Sequence, residues 1–287
     1  MLYRLNLNQI YTKYINSSKN LLKKVKRKKI KEYIPYGKHS INKSDIKSVV
    51  DVLKSNFITQ GPKIEKFENE ICKKLDVNFS IATNSATSAL HIACLSLGLQ
   101  KGDIVWTTPI TFVASANCAL YCQAKIDFVD IDIKNGLMSM YELEKKLEHS
   151  KRIGKLPKII IPVHLAGTSC DMKKIKELSE IYKFKVIEDA SHAIGGKFFG
   201  TYVGNCKYSD ITVFSFHPVK IITTGEGGIA TTNNLEIAEK MTKLRSHGIE
   251  KNNDKLENNS DDKPWIYEQQ YLGFNYRMND IEAALGL

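Results

Sequence analysis

Short apolar runs alternating with helical repeats from residue 79 onward predict an α/β protein: a mostly parallel sheet covered by helices on both faces. Runs at 79–83, 104–107, 126–131, 159–163, 186–188 and 211–216 have strand length and are rich in Ile, Val and Phe. Helical patterns near 88–97, 111–122, 139–149 and 171–183 lie between the first five of them. At 287 residues and 43% hydrophobic, the chain can also bury a sizeable core, as one large domain or two modest ones.

Taken in order, the chain opens on a basic extension, residues 1–33, ahead of a body at 34–287. Residues 1–31 hold ten lysines and arginines and no acid, so of the formal net charge of +11 only +1 is left for the rest. The charge is thus a property of an arm, and no aromatic-interleaved basic stripe recurs to support a nucleic-acid partner. The arm is read as a solvated extension or a poorly chosen start site, with a short amphipathic helix touching an acidic membrane surface or RNA through Leu2, Leu5, Leu7, Ile10, Tyr11, Tyr14 and Ile15 as the alternative. The six cysteines lack zinc or disulfide-scaffold spacing and fit free thiols in a reducing cytoplasm. Cys118 and Cys122 stand at i and i+4, but no histidine completes a metal set, and they read as core packing. No run reaches the length of a membrane span, and the arm lacks the order of an export signal, so a cytoplasmic location is expected.

Pro35 and Gly37 mark the boundary of the body. Ile46, Val49, Val50 and Leu53 repeat at helical spacing behind Asn42 or Ser44 as N-cap, and after a turn at Thr59-Gln60-Gly61-Pro62 the residues Ile64, Phe67, Ile71 and Leu75 line a second helix.

In a parallel α/β sheet, chemistry gathers at the carboxyl ends of the strands. The first such end runs into Asn84-Ser85-Ala86-Thr87-Ser88, a small hydroxyl-rich helix start that suits phosphate or serves only as a cap. The second gives Phe112, placed either to stack on a flat ring or in the core. The fourth gives His164, which reads as a satisfied structural histidine. The fifth gives Glu188 and Asp189, two acids costly to bury without a use, with His192 just beyond. Beyond the last run, Lys220 sits in an apolar and hydroxyl-rich surround with no charged neighbour until Glu226, which suits a Schiff-base lysine as well as it suits a turn. The following Gly225, Gly227 and Gly228 read as a flexible run, without the Lys-Ser/Thr ending of a P-loop. A phosphate cradle, a ring-stacking aromatic, a carboxylate for a pyridinium nitrogen and a nucleophilic lysine are together what pyridoxal phosphate requires.

From about residue 34 to its end the sequence resembles the DegT/DnrJ/StrS-type sugar aminotransferases. The motifs that carry the likeness are Thr-Gln-Gly-Pro at 59, Asn-Ser-Ala-Thr-Ser-Ala-Leu at 84, Pro-Ile-Thr-Phe-Val-Ala at 109, Glu-Asp-Ala-Ser-His-Ala at 188, Phe-Ser-Phe-His-Pro-Val-Lys at 214 and Asn-Tyr-Arg-Met-Asn-Asp at 275. The resemblance implies the PLP-dependent transferase fold type I, with 34–287 as the pyridoxal-phosphate-binding domain. It implies Lys220 as the Schiff-base lysine, Asp189 on the pyridine nitrogen, Ser215, Ala86 and Thr87 on the phosphate, and Phe112 over the ring. His192 stands where many relatives carry glutamine near the cofactor hydroxyl. Asn275 and Arg277 are implied to reach the neighbouring subunit's site, hence a homodimer. Ile34-Pro35-Tyr36-Gly37 and Gly273-Phe274-Asn275-Tyr276-Arg277 are most similar to the pseudaminic acid branch, which moves an amino group from glutamate to C4 of a UDP-linked 4-keto-6-deoxy-N-acetylhexosamine. Another nucleotide keto-sugar is the alternative substrate. Family members usually continue into a smaller C-terminal domain, whereas this sequence stops inside an apparent helix. That leads to the expectation of a truncated chain, with a non-catalytic cofactor-binding protein or an inactive fragment as competing readings.

Overall fold

The computed structural model describes residues 33–252, 256 and 265–287, so the basic arm read from residues 1–31 lies outside the described residues. Gly37–Leu287 form one compact unit. Helix α1 (Lys43–Leu53) is capped by Asn42: its side chain accepts from the Ser44 and Asp45 N–H groups, and Asp45 accepts from the Asn42 N–H in return. That reciprocal pair selects Asn42 over Ser44. Helix α2 (Pro62–Leu75) starts with Pro at its first position, where the missing N–H costs nothing, and buries Ile64, Phe67, Ile71 and Leu75 as their spacing predicts.

The alternating core follows as β1 (Phe79–Thr83), α3 (Ala86–Ser96), β2 (Ile104–Thr107), α4 (Ala114–Tyr121), β3 (Lys125–Phe128), α5 (Met140–Arg152), β4 (Ile159–Ile160), α6 (Met172–Tyr182) and β5 (Lys185–Asp189). A small hairpin, β6 (Lys197–Phe198) with β7 (Thr201–Tyr202), precedes β8 (Ile211–Ser215) and β9 (Gly228–Thr232). Helix α7 (Leu235–Leu244), the pair β10 (Ile249–Glu250) and β11 (Glu268–Gln269), and α8 (Asp280–Gly286) complete the chain. The main sheet runs β1-β9-β8-β5-β4-β2-β3. Every neighbouring pair is parallel except those of β9, which runs against both β1 and β8.

Side-chain alternation divides the core into two faces. Val105, Ile187 and Val213 join the cluster under α3, α4 and α7, whereas their neighbours Trp106 and Val186 pack against α5 and α6, and Phe214 packs against α2. Among the described residues no helix is long and apolar enough to cross a membrane.

Three elements depart from the sequence reading. Gly228 does not belong to a flexible run but opens β9, a fully buried central strand whose Gly-Ile-Ala-Thr-Thr composition hides its apolar character. The run at 159–163 forms a ladder only over its first two residues, because Pro162 has no N–H to donate; Val163 returns as an isolated bridge to Asp189. The helix at 235–244, amphipathic and capped by Asn234, lies beyond the elements that the sequence predicts.

Candidate active site

The sheet register gathers the site. Thr83 at the end of β1 and Ser215 at the end of β8 both pair with Gly228 at the start of β9, and Asp189 at the end of β5 pairs with Val213. Reversal of β9 therefore lets the segment 216–227, which carries Lys220, lie over the carboxyl ends of three parallel strands.

The helix start expected to hold an anion has the required form. Ser85 caps α3 by accepting from the Ser88 N–H at 3.1 Å, while the N–H groups of Ala86 and Thr87 have no partner among the described residues. The Thr83 hydroxyl holds the Ser85 carbonyl at 2.8 Å. Gly228 lets β9 approach this turn closely: a Cβ there would stand 2.6 Å from Ala86 Cα, so only glycine fits. Ser215, at 8% exposure, lies in register with Gly228, and its Oγ accepts weakly from the His217 N–H at 3.5 Å. Free N–H groups at the positive end of a helix dipole, with hydroxyls alongside, fit a phosphate group.

Asp189 is buried at 4% exposure but well supplied with donors. Its Oδ2 accepts from Ser115 Oγ at 2.6 Å, and its Oδ1 accepts from Ser191 Oγ at 2.6 Å and Ser191 N–H at 3.2 Å. Ser115 is itself tied to Thr111 Oγ1 at 2.7 Å. This clamp fixes the Asp189 carboxylate in place, where it can accept from a further N–H. Neither Ser115 nor Ser191 was singled out from sequence. The i, i+4 spacing of Thr111 and Ser115 was legible, but nothing in one sequence ties it to a strand end 74 residues away.

Lys220 is half-buried, and burial lowers its pKa while the negative charge of Asp189 works the other way. Lys220 and Asp189 are thus close enough to feel each other. His192 belongs to the same group: burial, then the Lys220 charge, depress its pKa against the pull of Asp189. The Ala166 N–H donates to His192 Nδ1 at 3.2 Å, which makes Nδ1 the acceptor and leaves the ring proton on Nε2 when the ring is neutral. Ala166 pays for that contact with a left-handed backbone, φ +54.

The two acids at the end of β5 part company, as strand alternation requires. Glu188 points to the opposite face, where His164 Nε2 at 2.6 Å, Ser209 Oγ at 2.5 Å and Thr212 Oγ1 at 2.9 Å satisfy it. Burial raises its pKa, yet these hydrogen bonds outweigh burial and hold it below the usual carboxylate value. His164 is a structural residue, as read, and Glu188 is its partner. Phe112 is 72% exposed just ahead of α4, which removes its core alternative. Asn275 is exposed and meets Asn84 Nδ2 through its carbonyl at 3.4 Å, on the rim of the α3 turn, while Arg277 donates to Ser246 Oγ at 3.2 Å.

Comparison with known proteins identifies the family and the fold. The profile of the DegT/DnrJ/EryC1/StrS aminotransferase family matches residues 39–287. The UDP-4-amino-4,6-dideoxy-N-acetyl-beta-L-altrosamine transaminase of Campylobacter jejuni (serotype O:23/36) is 41% identical over 255 residues, which cover 88% of this chain and 63% of that protein. Helicobacter pylori PseC, an aminotransferase involved in the biosynthesis of pseudoaminic acid, superposes with a TM-score of 0.78 at 34% identity, over 89% of this chain and 64% of that one. The PLP form of the sugar aminotransferase Spr1654 of Streptococcus pneumoniae gives 0.75 at 28% identity, over 89% and 65%. The chain thus spans somewhat under two thirds of the length of the curated relative it matches.

Proposed function

The chain belongs to the DegT/DnrJ/EryC1/StrS aminotransferase family, and on that premise we propose that it moves an amino group from glutamate to C4 of a UDP-linked 4-keto-6-deoxy-N-acetylhexosamine, as a homodimer using pyridoxal phosphate. The observation that carries this reading is the convergence of Lys220 and His192 on the clamped carboxylate of Asp189, beside a helix start with free N–H groups. The choice of sugar is supported by the name of the Campylobacter relative.

The roles follow from the chemistry of each group. Ala86 and Thr87 N–H with Ser215 would take the phosphate, and Phe112 would cover a ring face. When bound, pyridoxal phosphate supplies an aldehyde carbon that condenses with amines and a ring that spreads the charge left by a departing proton. Asp189, held in place by Ser115 and Ser191, is the carboxylate that would pair with the ring nitrogen. His192, with Nδ1 engaged by the Ala166 N–H, would offer its Nε2–H to the ring hydroxyl. Lys220, with its pKa lowered by burial, presents a free amine in a larger fraction at neutral pH than an exposed lysine does. That amine is a nucleophile first and then the base that takes and returns a proton at Nζ. Asn275 and Arg277 serve the site of the partner subunit.

The test is reconstitution with pyridoxal phosphate, borohydride reduction and peptide mapping, followed by assay of glutamate with a panel of nucleotide 4-keto sugars. The expected result is a label on Lys220, its loss in Lys220→Ala, and turnover with the UDP-linked 4-keto-6-deoxy-N-acetylhexosamine. A label on another lysine overturns the site. Cofactor binding without amino transfer to any sugar overturns the activity while leaving the site intact.

A further inference from the structure

His164 does more than satisfy Glu188, because its ring also holds the far end of the loop that it opens. Nε2 lies 2.6 Å from Glu188 Oε2, and the Cys170 N–H donates to Nδ1 at 3.2 Å. Since Nδ1 accepts, the ring proton sits on Nε2 and goes to Glu188. Burial lowers the pKa of this ring, while its contacts with Cys170 and Glu188 raise it to about 10. A second proton, on Nδ1, would point at the Cys170 N–H, so the hydrogen bond there decides for the neutral ring. The near end of the loop is paired to β5: the His164 N–H donates to the Asp189 carbonyl at 3.0 Å, and the Asp189 N–H to the Pro162 carbonyl at 2.9 Å. The Cys170 thiol donates back to the Val163 carbonyl at 3.3 Å, so the loop leaves and returns at one point. Between its ends the Gly167 N–H donates to the His164 carbonyl at 3.0 Å. Ala166 and Gly167 at the crest take left-handed backbone, φ +54 and +89. The crest rests on His192: the Ala166 N–H donates to Nδ1 at 3.2 Å, and a Cβ on Gly167 would stand 2.9 Å from the His192 carbonyl oxygen.

We propose that His164 is a positioning residue for His192: by joining Glu188 to the Cys170 N–H it closes the loop 164–170, and the closed loop holds the Ala166 N–H on His192 Nδ1, which keeps the His192 proton on Nε2. Strand alternation makes this coupling possible. Glu188 and Asp189 are neighbours in β5 on opposite faces, so His164 anchors the loop on one face while His192 shares the other with Asp189 and Lys220. The anchor is buried, with His164 at 0% exposure, whereas Ala166 is exposed. A single hydrogen bond at an exposed backbone N–H competes with water and is weak alone. With the loop open, water would replace Ala166 and the ring proton would be free to move to Nδ1, leaving Nε2 with a lone pair and nothing to donate. The use of the Nε2–H at a cofactor hydroxyl rests on the aminotransferase reading; the link from His164 to His192 does not.

The test is histidine NMR with nitrogen-labelled rings on the full chain without cofactor, comparing the unaltered protein with His164→Gln and His164→Asn. A glutamine amide N–H reaches the place of Nε2 and keeps a donor on buried Glu188, but leaves nothing to accept from the Cys170 N–H. An asparagine carbonyl takes the place of Nδ1 and keeps that bond. In the unaltered protein His192 should be in its Nε2–H form. In His164→Gln the ratio of Nδ1–H to Nε2–H forms at His192 should rise about two- to tenfold, the effect of losing one neutral hydrogen bond. The ring should also titrate at higher pH there, since a bond to unprotonated Nδ1 no longer opposes its protonation. His164→Asn should keep the unaltered spectrum. Gly167→Ala, which pushes the crest off His192 without touching the buried anchor, should reproduce the spectrum of His164→Gln. An unchanged His192 spectrum in His164→Gln, or the same His192 shifts in His164→Asn as in His164→Gln, would overturn the proposal. A pyridoxal phosphate titration of His164→Gln keeps the two readings apart: unchanged affinity beside a shifted His192 spectrum overturns the use of His192 at the cofactor and leaves its link to His164 standing.

Discussion

Removing the Ser115 hydroxyl tests whether the clamp on Asp189 is what makes a buried carboxylate tolerable. Three donors reach Asp189, two from Ser191 on Oδ1 and one from Ser115 on Oδ2. Ser115→Ala therefore strips Oδ2 of its donor in a site where water has little access. A hydrogen bond to a charged group contributes about 1.5–3 kcal/mol, and alanine returns up to about 0.5 kcal/mol of helix propensity in α4. The net expectation is a loss of about 1–2.5 kcal/mol. With Asp189→Asn in place, the partner of Ser115 is neutral and its bond falls to about 0.5–1.5 kcal/mol, so the two substitutions should be coupled by about 1 kcal/mol. Urea denaturation of the four proteins of this cycle at neutral pH measures both quantities. A Ser115→Ala effect within about 0.5 kcal/mol of zero, the range of neutral surface changes, would refute the argument. So would additivity with Asp189→Asn to within about 0.3 kcal/mol.

Gly228→Ala would set a Cβ 2.6 Å from Ala86 Cα, a backbone atom that cannot swing aside. Overpacking of this kind costs about 1–3 kcal/mol, and the displaced α3 turn should weaken pyridoxal phosphate binding. A thermal melt and a cofactor titration check this, and unchanged values for both would show that β9 has slack. The pKa values of His192 and Lys220 are linked. Lys220→Ala removes a positive charge that lowers the His192 pKa, so the His192 ring should titrate at higher pH in the variant. Histidine NMR reads that shift, and no change or a downward shift would separate the two residues. Conversely, Asp189→Asn removes the one influence that raises the Lys220 pKa, and competitive acylation should find the amine reactive at lower pH.

The site was legible wherever its chemistry coincided with a strand end. Ser85 to Ser88, Asp189 and Ser215 stand at the carboxyl ends of β1, β5 and β8, and a parallel sheet brings such ends together whatever the details of packing. What stayed hidden depends on register or on the third dimension. Glu188 and Asp189 look alike in sequence, but the strand sends one toward Ser115 and the other toward His164, and only the strand's neighbours say which. Gly228 looked like slack because its neighbours are small. In a central strand pressed against a helix start, small size is what the position demands, since any side chain would push Ala86 away.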